Sequence, residues 1–389
     1  MSDTLVREET VVDSAGSIAP PLLHAKTARH VHRALLGGFF VYLLVVVPIL
    51  YLAGATDITT VNQLGRFLAL AIVAIGIDMV WGYTGILSLC QAMFFCVGGY
   101  AIGMHMALHG PLDGDGIPRA LFVVSSEVSG LKLPWFWEPF RALPLAIVLA
   151  LFLPGVFAFF FGYFAFRSRV RGVYFSIITQ ATTLAATWVF RKNEMRLCGT
   201  NGLTNFVTLA GLDLQKPSTK LGLYLLTAVF LLLAFLLCKW ITGSRLGRLL
   251  QAIRDNESRL RFAGYQPVIF KTFVFVLAAV LAGVGGMLYT PQNGIITPFR
   301  MEPVVSIMMV AFVAVGGRGT LTGAIVGALL VSYLESYLTS QWPVAWPFVF
   351  GGLFVLVTLV APDGIVGSWR KLVFERLCLP RRRSEAGGA

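Results

Sequence analysis

The chain has 389 residues, of which 57% are hydrophobic and 13% charged. Soluble domains carry about 25% charged residues, so this composition, with its long apolar runs, argues against a soluble protein and predicts a polytopic membrane protein. The net charge of +12 fits the basic cytoplasmic loops of such a protein. No nucleic-acid recognition motif accompanies the charge, so we expect no nucleic-acid partner.

The five cysteines form no CxxC pair, and no cysteine–histidine spacing fits a zinc site, so we expect neither a metal nor another cofactor. Residues 1–33 are predicted to form a cytoplasmic tail rather than a cleavable signal, because the first apolar run begins near Ala34 and is too long for one. Residues 373–389 form a second, basic cytoplasmic tail.

The apolar runs predict an all-α transmembrane bundle, because a spanning helix needs about 20 apolar residues. The eighth run is short enough to be a half-span. The ten predicted spans are roughly 34–54, 62–81, 87–108, 143–166, 173–190, 220–240, 269–290, 303–317, 320–339 and 345–361.

Basic residues set the predicted orientation, because they accumulate in cytoplasmic loops. Lys26, Arg29 and Arg33 precede the first span without an acidic neighbour, which places the N-terminus inside. The stretch 239–271 carries seven basic residues against two acidic ones and also falls inside. The loop 191–219, which is basic but falls outside, is the exception. Both termini are therefore predicted to be cytoplasmic.

The segment 243–264 predicts a short amphipathic helix, because Leu246, Leu249, Leu250 and Ile253 recur at helical spacing. One interpretation is an interfacial helix that basic residues anchor to anionic lipid. The other is a docking helix for a cytoplasmic protein. The mixed charge around residues 254–257 favours docking, since a lipid anchor needs basic residues only.

The stretch "SRLGRLLQAIRDNESRLRFAGYQPVIFK" (244–271) resembles the cytoplasmic coupling region of ABC importer permeases of the branched-chain amino acid and urea families. Further stretches resemble other motifs of these families, and the resemblance covers about residues 34–372. Four stretches resemble features of the urea-type permeases, namely "LPWFW" (133–137), "TNGLTNF" (200–206), "VAVGGRGTL" (313–321) and "APDGIVG" (361–367). The other motifs are "WGYTGILSLCQAMFFCVGGYA" (81–101), "RGVYFSIITQA" (171–181), "CGTNGLTNF" (198–206) and "VAVGGRGTLTGAIVGA" (313–328).

The resemblance implies a permease domain over 34–372, with its coupling region at 243–267, in the bacterial inner membrane. It implies a transport subunit and not an enzyme, with ATP hydrolysis on separate subunits, and the sequence contains no phosphate-binding loop motif. The implied partners are a second, related permease that makes a heterodimer, two cytoplasmic ABC ATPases, an extracytoplasmic solute-binding protein and membrane lipid.

The resemblance favours urea as the solute, with branched-chain amino acids or short amides as alternatives. An amino acid would need partners for both its carboxylate and its ammonium group, and the sequence alone does not locate such a pair. A passive solute channel is the alternative from another class, although it would have no use for a docking helix. A membrane-embedded enzyme would need clustered His, Asp, Glu or Cys residues within the spans.

Two sets of residues are candidate functional sites. The resemblance assigns coupling to an ATPase to Arg254, Asp255, Asn256 and Glu257. The polar face of the fifth span offers hydroxyl and amide partners for a solute in the translocation path. Its residues are Ser176, Thr179, Gln180 and Thr183. The alternative for the hydroxyls is bonding back to their own helix.

Ionisable residues within predicted spans are costly and often functional, and three of them stand out here. Asp78 lies at the inner end of the second span, His105 at the outer end of the third, and Glu335 toward the outer end of the ninth. Each lies near a boundary, so snorkelling or a local partner is the alternative to a functional role.

Overall fold

The computed structural model describes residues 36–110, 134–170, 172–360 and 364–368. The predicted terminal tails, 1–33 and 373–389, lie outside these residues. Short 3-10 segments occur at Trp135–Arg141, Asn193–Met195, Gly199–Asn201 and Pro298–Met301, and β1 (Thr208–Leu209) pairs with β2 (Leu212–Asp213). The helices are α1 (Leu36–Leu52), α2 (Ile58–Thr84), α3 (Gln91–Leu108), α4 (Leu143–Arg167), α5 (Val173–Arg191), α6 (Pro217–Gly243), α7 (Arg245–Phe262), α8 (Pro267–Asn293), α9 (Pro303–Gly316), α10 (Leu321–Gln341) and α11 (Trp346–Val360).

Every predicted span overlaps one of these helices, and the prediction of a polytopic helical bundle is confirmed. In the described residues, seven helices are long and apolar enough to cross a membrane, and α1, α9 and α11 are shorter apolar helices. The predicted short eighth span is α9. The third span begins later than predicted, because residues 87–90 are not helical and α3 starts at Gln91.

Local sequence explains where the helices begin and end. α6, α8 and α9 each begin with a proline, whose fixed backbone angle suits the first helical position and whose missing N–H is not needed there. α2 ends at Gly85, which is left-handed with a φ of 75°. α8 ends in the same way at Gly294, with a φ of 74°. Left-handed glycine is the common helix terminator because it has no Cβ to clash.

α2, α3 and α8 form the centre of the bundle and are largely buried. α3 packs directly on α8, where a Cβ on Gly286 would overlap the carbonyl group of Phe95. α9 and α10 approach as closely, since a Cβ on Gly327 would overlap the carbonyl group of Phe312. The small glycine residues thus permit the close approach of these helices.

The outer helices expose apolar side chains instead. On α4, Phe152, Phe160 and Phe164 are exposed, and on α5 so are Tyr174 and Trp188. An apolar surface of this size faces lipid or other helices in a membrane protein.

After α8 the chain turns back into the bundle. Leu203 and Ile296 form an antiparallel bridge, with N–O distances of 2.8 and 2.9 Å. Cys96 of α3 donates from its thiol to the carbonyl oxygen of Thr297 at 3.5 Å. Several backbone groups between α8 and α9 are thus hydrogen-bonded within the protein.

The close contact of α3 with α8 predicts that Gly286→Ala lowers the thermal stability of the purified protein. Overpacking costs about 1–3 kcal/mol in a well-packed core. Thermal unfolding in detergent, followed by size exclusion, measures the effect. Gly222→Ala on α6 is the matched control, because a Cβ there meets nothing within 4 Å. Equal midpoints of thermal unfolding for the two variants would contradict the close contact of α3 with α8.

Candidate functional site

α7 is the amphipathic helix predicted from the sequence, and it lies against the bundle. Its first turn is capped by Ser244, whose hydroxyl oxygen accepts a hydrogen bond from the Leu246 amide at 3.1 Å. Leu250, Ile253 and Leu260 are buried, and Leu246 is half-buried. The predicted apolar face is therefore the face that packs on the bundle.

Arg254 joins α7 directly to the end of α2. Its Nη1 donates to the carbonyl oxygen of Gly82 at 2.8 Å, a hydrogen bond strengthened by the positive charge. The stem of Arg254 passes over Gly85, where a Cβ would stand only 3.0 Å from Arg254 Cγ. The glycine that ends α2 thus also makes room for the arginine of α7.

Asp78 joins the same end of α2 to the turn between α9 and α10. Its side chain is fully buried, and Oδ1 accepts a hydrogen bond from the Gly319 amide at 2.6 Å. Arg318 donates from Nε to the carbonyl oxygen of Trp81 at 3.3 Å, and its guanidinium lies 5.0 Å from the centre of the Trp81 ring.

These contacts unite three elements in one polar cluster. Arg318 and Arg254 both supply positive charge to the Asp78 carboxylate. Burial and the neighbouring Arg254 lower the pKa of Arg318, whereas Asp78 raises it. Arg254 of α7 thus binds the same end of α2 that holds the α9–α10 turn. We call this cluster the α7 junction; its residues are Asp78, Gly82, Arg254, Arg318 and Gly319.

Asp255 and Asn256, the next two residues of the predicted coupling set, are exposed. Asp255 Oδ1 lies 3.6 Å from Nε of Arg254. Asn256 interrupts the helix with a φ of −158° and a ψ of 93°. Its side-chain oxygen accepts a hydrogen bond from the Arg259 amide at 3.1 Å and so begins the second half of α7.

Glu257, the last residue of that set, points toward the bundle. Its carboxylate pairs with Arg261 at 2.7 Å and with Lys271 of α8 at 2.8 Å. The Glu257 side chain is only 13% exposed and that of Lys271 only 9%. Asp255 and Asn256 therefore face solvent, Glu257 binds the bundle, and Arg254 binds α2 although its side chain is 42% exposed. Their role in coupling stays a prediction.

One exposed residue of α7 was missed by the sequence analysis. Phe262 ends the helix and is 91% exposed, and Tyr265 beside it is also exposed. Exposed aromatic side chains in a polar segment are typical of protein interfaces. The feature of the sequence that indicated this residue is an aromatic side chain in a mostly polar and charged run, residues 254–262.

The predicted path residues lie mainly on the buried face of α5. Ser176 donates to the carbonyl oxygen of Leu87 at 2.9 Å, and the Leu89 amide donates to the Thr179 hydroxyl at 3.1 Å. The Thr183 hydroxyl lies 3.1 Å from the carbonyl oxygen of Leu89. These hydroxyls therefore hold the non-helical segment between α2 and α3.

The same hydroxyls also bond back to α5, as the alternative interpretation expected. Thr179 reaches the carbonyl oxygen of Ser176, and Thr183 that of Thr179, each at 2.9 Å. Gln180 lies apart and is partly exposed. Gln91, at the start of α3, is buried, and neither polar atom of its side chain has a hydrogen-bond partner in the described part of the chain. Water or a solute commonly satisfies such a group.

The ion pair of Glu257 with Lys271 predicts a measurable coupling between α7 and α8. Lys271→Met should lower the free energy of unfolding by on the order of 3 kcal/mol, because it leaves a mostly buried carboxylate with less compensation. In a thermal double-mutant cycle with Glu257→Gln, the double variant should lose less than the sum of the single variants. Glu138→Gln, in an exposed pair with Arg141, is the control and should change stability little. Additive losses would show that the pair is uncoupled.

Comparison with known proteins gives consistent matches. A model of the family described as branched-chain amino acid transport system / permease component matches residues 59–358. The high-affinity branched-chain amino acid transport system permease protein LivM of Escherichia coli is 24% identical over 357 residues, 85% of this chain and 75% of that protein. LivM of Salmonella typhimurium is 24% identical over 345 residues, 83% of this chain and 72% of that protein.

The corresponding permease protein BraD of Pseudomonas aeruginosa is 24% identical over 311 residues, which cover 76% of this chain and 91% of BraD. No solved structure matches the chain at a significant level. The family model covers well over half of the chain, and seven of the described helices are able to cross a membrane. The chain therefore belongs to the permease-component family of branched-chain amino acid transport systems and is a multi-pass membrane protein.

Proposed function

We propose that this chain is the permease subunit of an ATP-driven importer of branched-chain amino acids in the bacterial inner membrane. Two cytoplasmic ABC ATPases, a related second permease and an extracytoplasmic solute-binding protein complete the importer. The family of the chain and the names of its relatives support this proposal.

The observation that carries the coupling mechanism is the α7 junction. In the proposed mechanism an ATPase docks on the exposed side of α7, through Asp255, Asn256 and Phe262. Arg254 transmits the displacement of α7 to α2 through its hydrogen bond to Gly82, and Glu257 holds α7 on α8 through Lys271. Docking and transmission thus use different side chains of the same helix.

The contact between Arg254 and α2 also bears on the interpretation of α7 as a lipid anchor. A helix held only by lipid would need no polar connection to the membrane helices, whereas Arg254 connects α7 to α2. A passive channel would likewise gain nothing from such a connection. Both considerations favour an ATP-driven permease.

The proposed solute differs from the one expected from the motifs. Urea was expected because several stretches resemble urea-type permeases, but the three relatives named above are all permeases of branched-chain amino acid systems. Urea specificity therefore has no support from the comparisons, and branched-chain amino acids are better supported.

The path residues stay part of the proposal. In the structure Ser176, Thr179 and Thr183 bind the segment between α2 and α3. We infer that these hydrogen bonds exchange partners when the path opens, so that the same hydroxyls and the Gln180 amide become available to solute.

Uptake of labelled solute in cells tests the proposal. Deletion of the gene should abolish high-affinity leucine uptake and leave urea uptake unchanged, because we assign the chain to amino acids. Depletion of ATP in the parent cells should stop the same leucine uptake, because transport requires hydrolysis.

A plasmid copy of the gene should restore leucine uptake and serves as the control. Loss of urea uptake alone would reject the proposed solute and keep the permease. Leucine uptake that depends on the gene but survives ATP depletion would indicate a passive channel.

A further inference from the structure

A cavity of about 400 Å³ lies between α2, α8 and α10, beside the 3-10 segment that precedes α9. It is near the beginning of α2, whereas the α7 junction is at the end of that helix, so the cavity opens on the opposite side of the bundle. Pockets of about 300–1,000 Å³ hold small-molecule ligands. The volume is therefore sufficient for one amino acid.

Charged side chains of both signs line this cavity. Arg66 of α2 and Arg300 of the 3-10 segment are basic, and Glu335 of α10 is acidic. Ionisable groups within membrane helices are costly and by default mark functional sites. Two of these residues, Arg66 and Glu335, lie in helices long enough to cross a membrane, and their position around one cavity needs an explanation.

The charges of the cavity do not neutralise one another by direct pairing. Within the described residues, no hydrogen bond or ion pair engages the Glu335 carboxylate, although the fields of Arg300 and Arg66 act on it. Arg300 lies 5.5 Å from the centre of the Tyr289 ring and makes no ion pair in the same part of the chain. Both groups are thus available to a ligand.

The guanidinium group of Arg66 has a hydrogen-bond partner for only some of its nitrogen atoms. Its Nη1 donates to the side-chain oxygen of Asn293 at 3.0 Å, whereas its buried Nε has no partner in the described residues. The hydroxyl of Ser332, which also lines the cavity, is buried and equally without a partner there. Buried polar atoms without partners are rare, and a bound ligand is an ordinary reason for them.

An α-amino acid in its zwitterionic form complements this arrangement. Its carboxylate matches a guanidinium group, which binds carboxylates in a planar, two-pronged geometry. Its ammonium group matches a carboxylate. The lining side chains of Leu70 and Tyr289 offer apolar surface to an aliphatic side chain. Urea has no charge with which to compensate either group.

We propose that this cavity binds the substrate amino acid, with Glu335 receiving the ammonium group and Arg300 the carboxylate. The proposal rests on the proposed function, which it deepens by naming the groups that recognise the solute. A purely structural role for the three charges would make no distinction among ligands, so the test measures ligand discrimination.

Binding is measured on the full-length chain in nanodiscs, purified with its associated subunits but without any solute-binding protein. The probes are labelled leucine, 3-methylbutylamine, which lacks the carboxylate, and 4-methylpentanoate, which lacks the ammonium group. The wild-type chain should bind leucine and neither analogue. Glu335→Gln and Arg300→Gln should each weaken leucine binding by about tenfold or more, as expected for loss of a charged contact.

The two variants should lose discrimination against different analogues of leucine. Glu335→Gln should reduce the preference for leucine over 4-methylpentanoate, and Arg300→Gln the preference over 3-methylbutylamine. Glu335→Asp should restore part of the leucine affinity, which controls for a folding defect. Glu194→Gln, an exposed acid outside the cavity, should leave binding unchanged.

Unchanged affinity and discrimination in both cavity variants would overturn this proposal. If gene-dependent leucine uptake persists in that case, the proposed function stands and only the site is wrong. If deletion of the gene leaves leucine uptake intact and the purified chain binds no leucine, the proposed function fails as well.

Discussion

The polar contact between α7 and the end of α2 is one of the connections that hold the amphipathic helix on the membrane helices. Asp78 is fully buried there, and a buried carboxylate is costly unless hydrogen bonds and opposite charge compensate it. The Gly319 amide and the nearby Arg254 and Arg318 provide part of that compensation, whereas Oδ2 of Asp78 has no hydrogen-bond partner among the described residues. α2 and the α9–α10 turn thus share a buried hydrogen bond, to which α7 adds the nearby charge of Arg254.

α2 also connects this junction to the proposed amino-acid cavity. Asp78 and Arg66 lie on the same helix, about 18 Å apart along its axis at about 1.5 Å per residue. α2 therefore runs between the site where ATPases are proposed to act and the site where solute is proposed to bind. The hydroxyls of α5 hold the segment that follows α2, which places the predicted path residues next to the same link.

The sequence predicted the elements well, because long apolar runs and an amphipathic period reflect burial directly. It placed each span and the apolar face of α7. It could not show that Arg254 bonds Gly82 or that Glu257 pairs with Lys271, because these contacts depend on how separate helices pack. For the same reason it located no partners for an amino acid, although Glu335 was noted as a costly charge. Arg300 lies outside the predicted spans, and only the fold brings it to Glu335.

The most direct test of this account is leucine uptake and ATP hydrolysis by the reconstituted importer carrying Arg254→Ala. We expect the ATPase subunits to remain bound and hydrolysis to continue while uptake is lost, because Arg254 transmits motion and does not dock. Phe262→Ala should instead weaken the association of the ATPases, since that side chain is exposed. Uptake that stays in proportion to hydrolysis in Arg254→Ala would contradict the α7 junction as the coupling element.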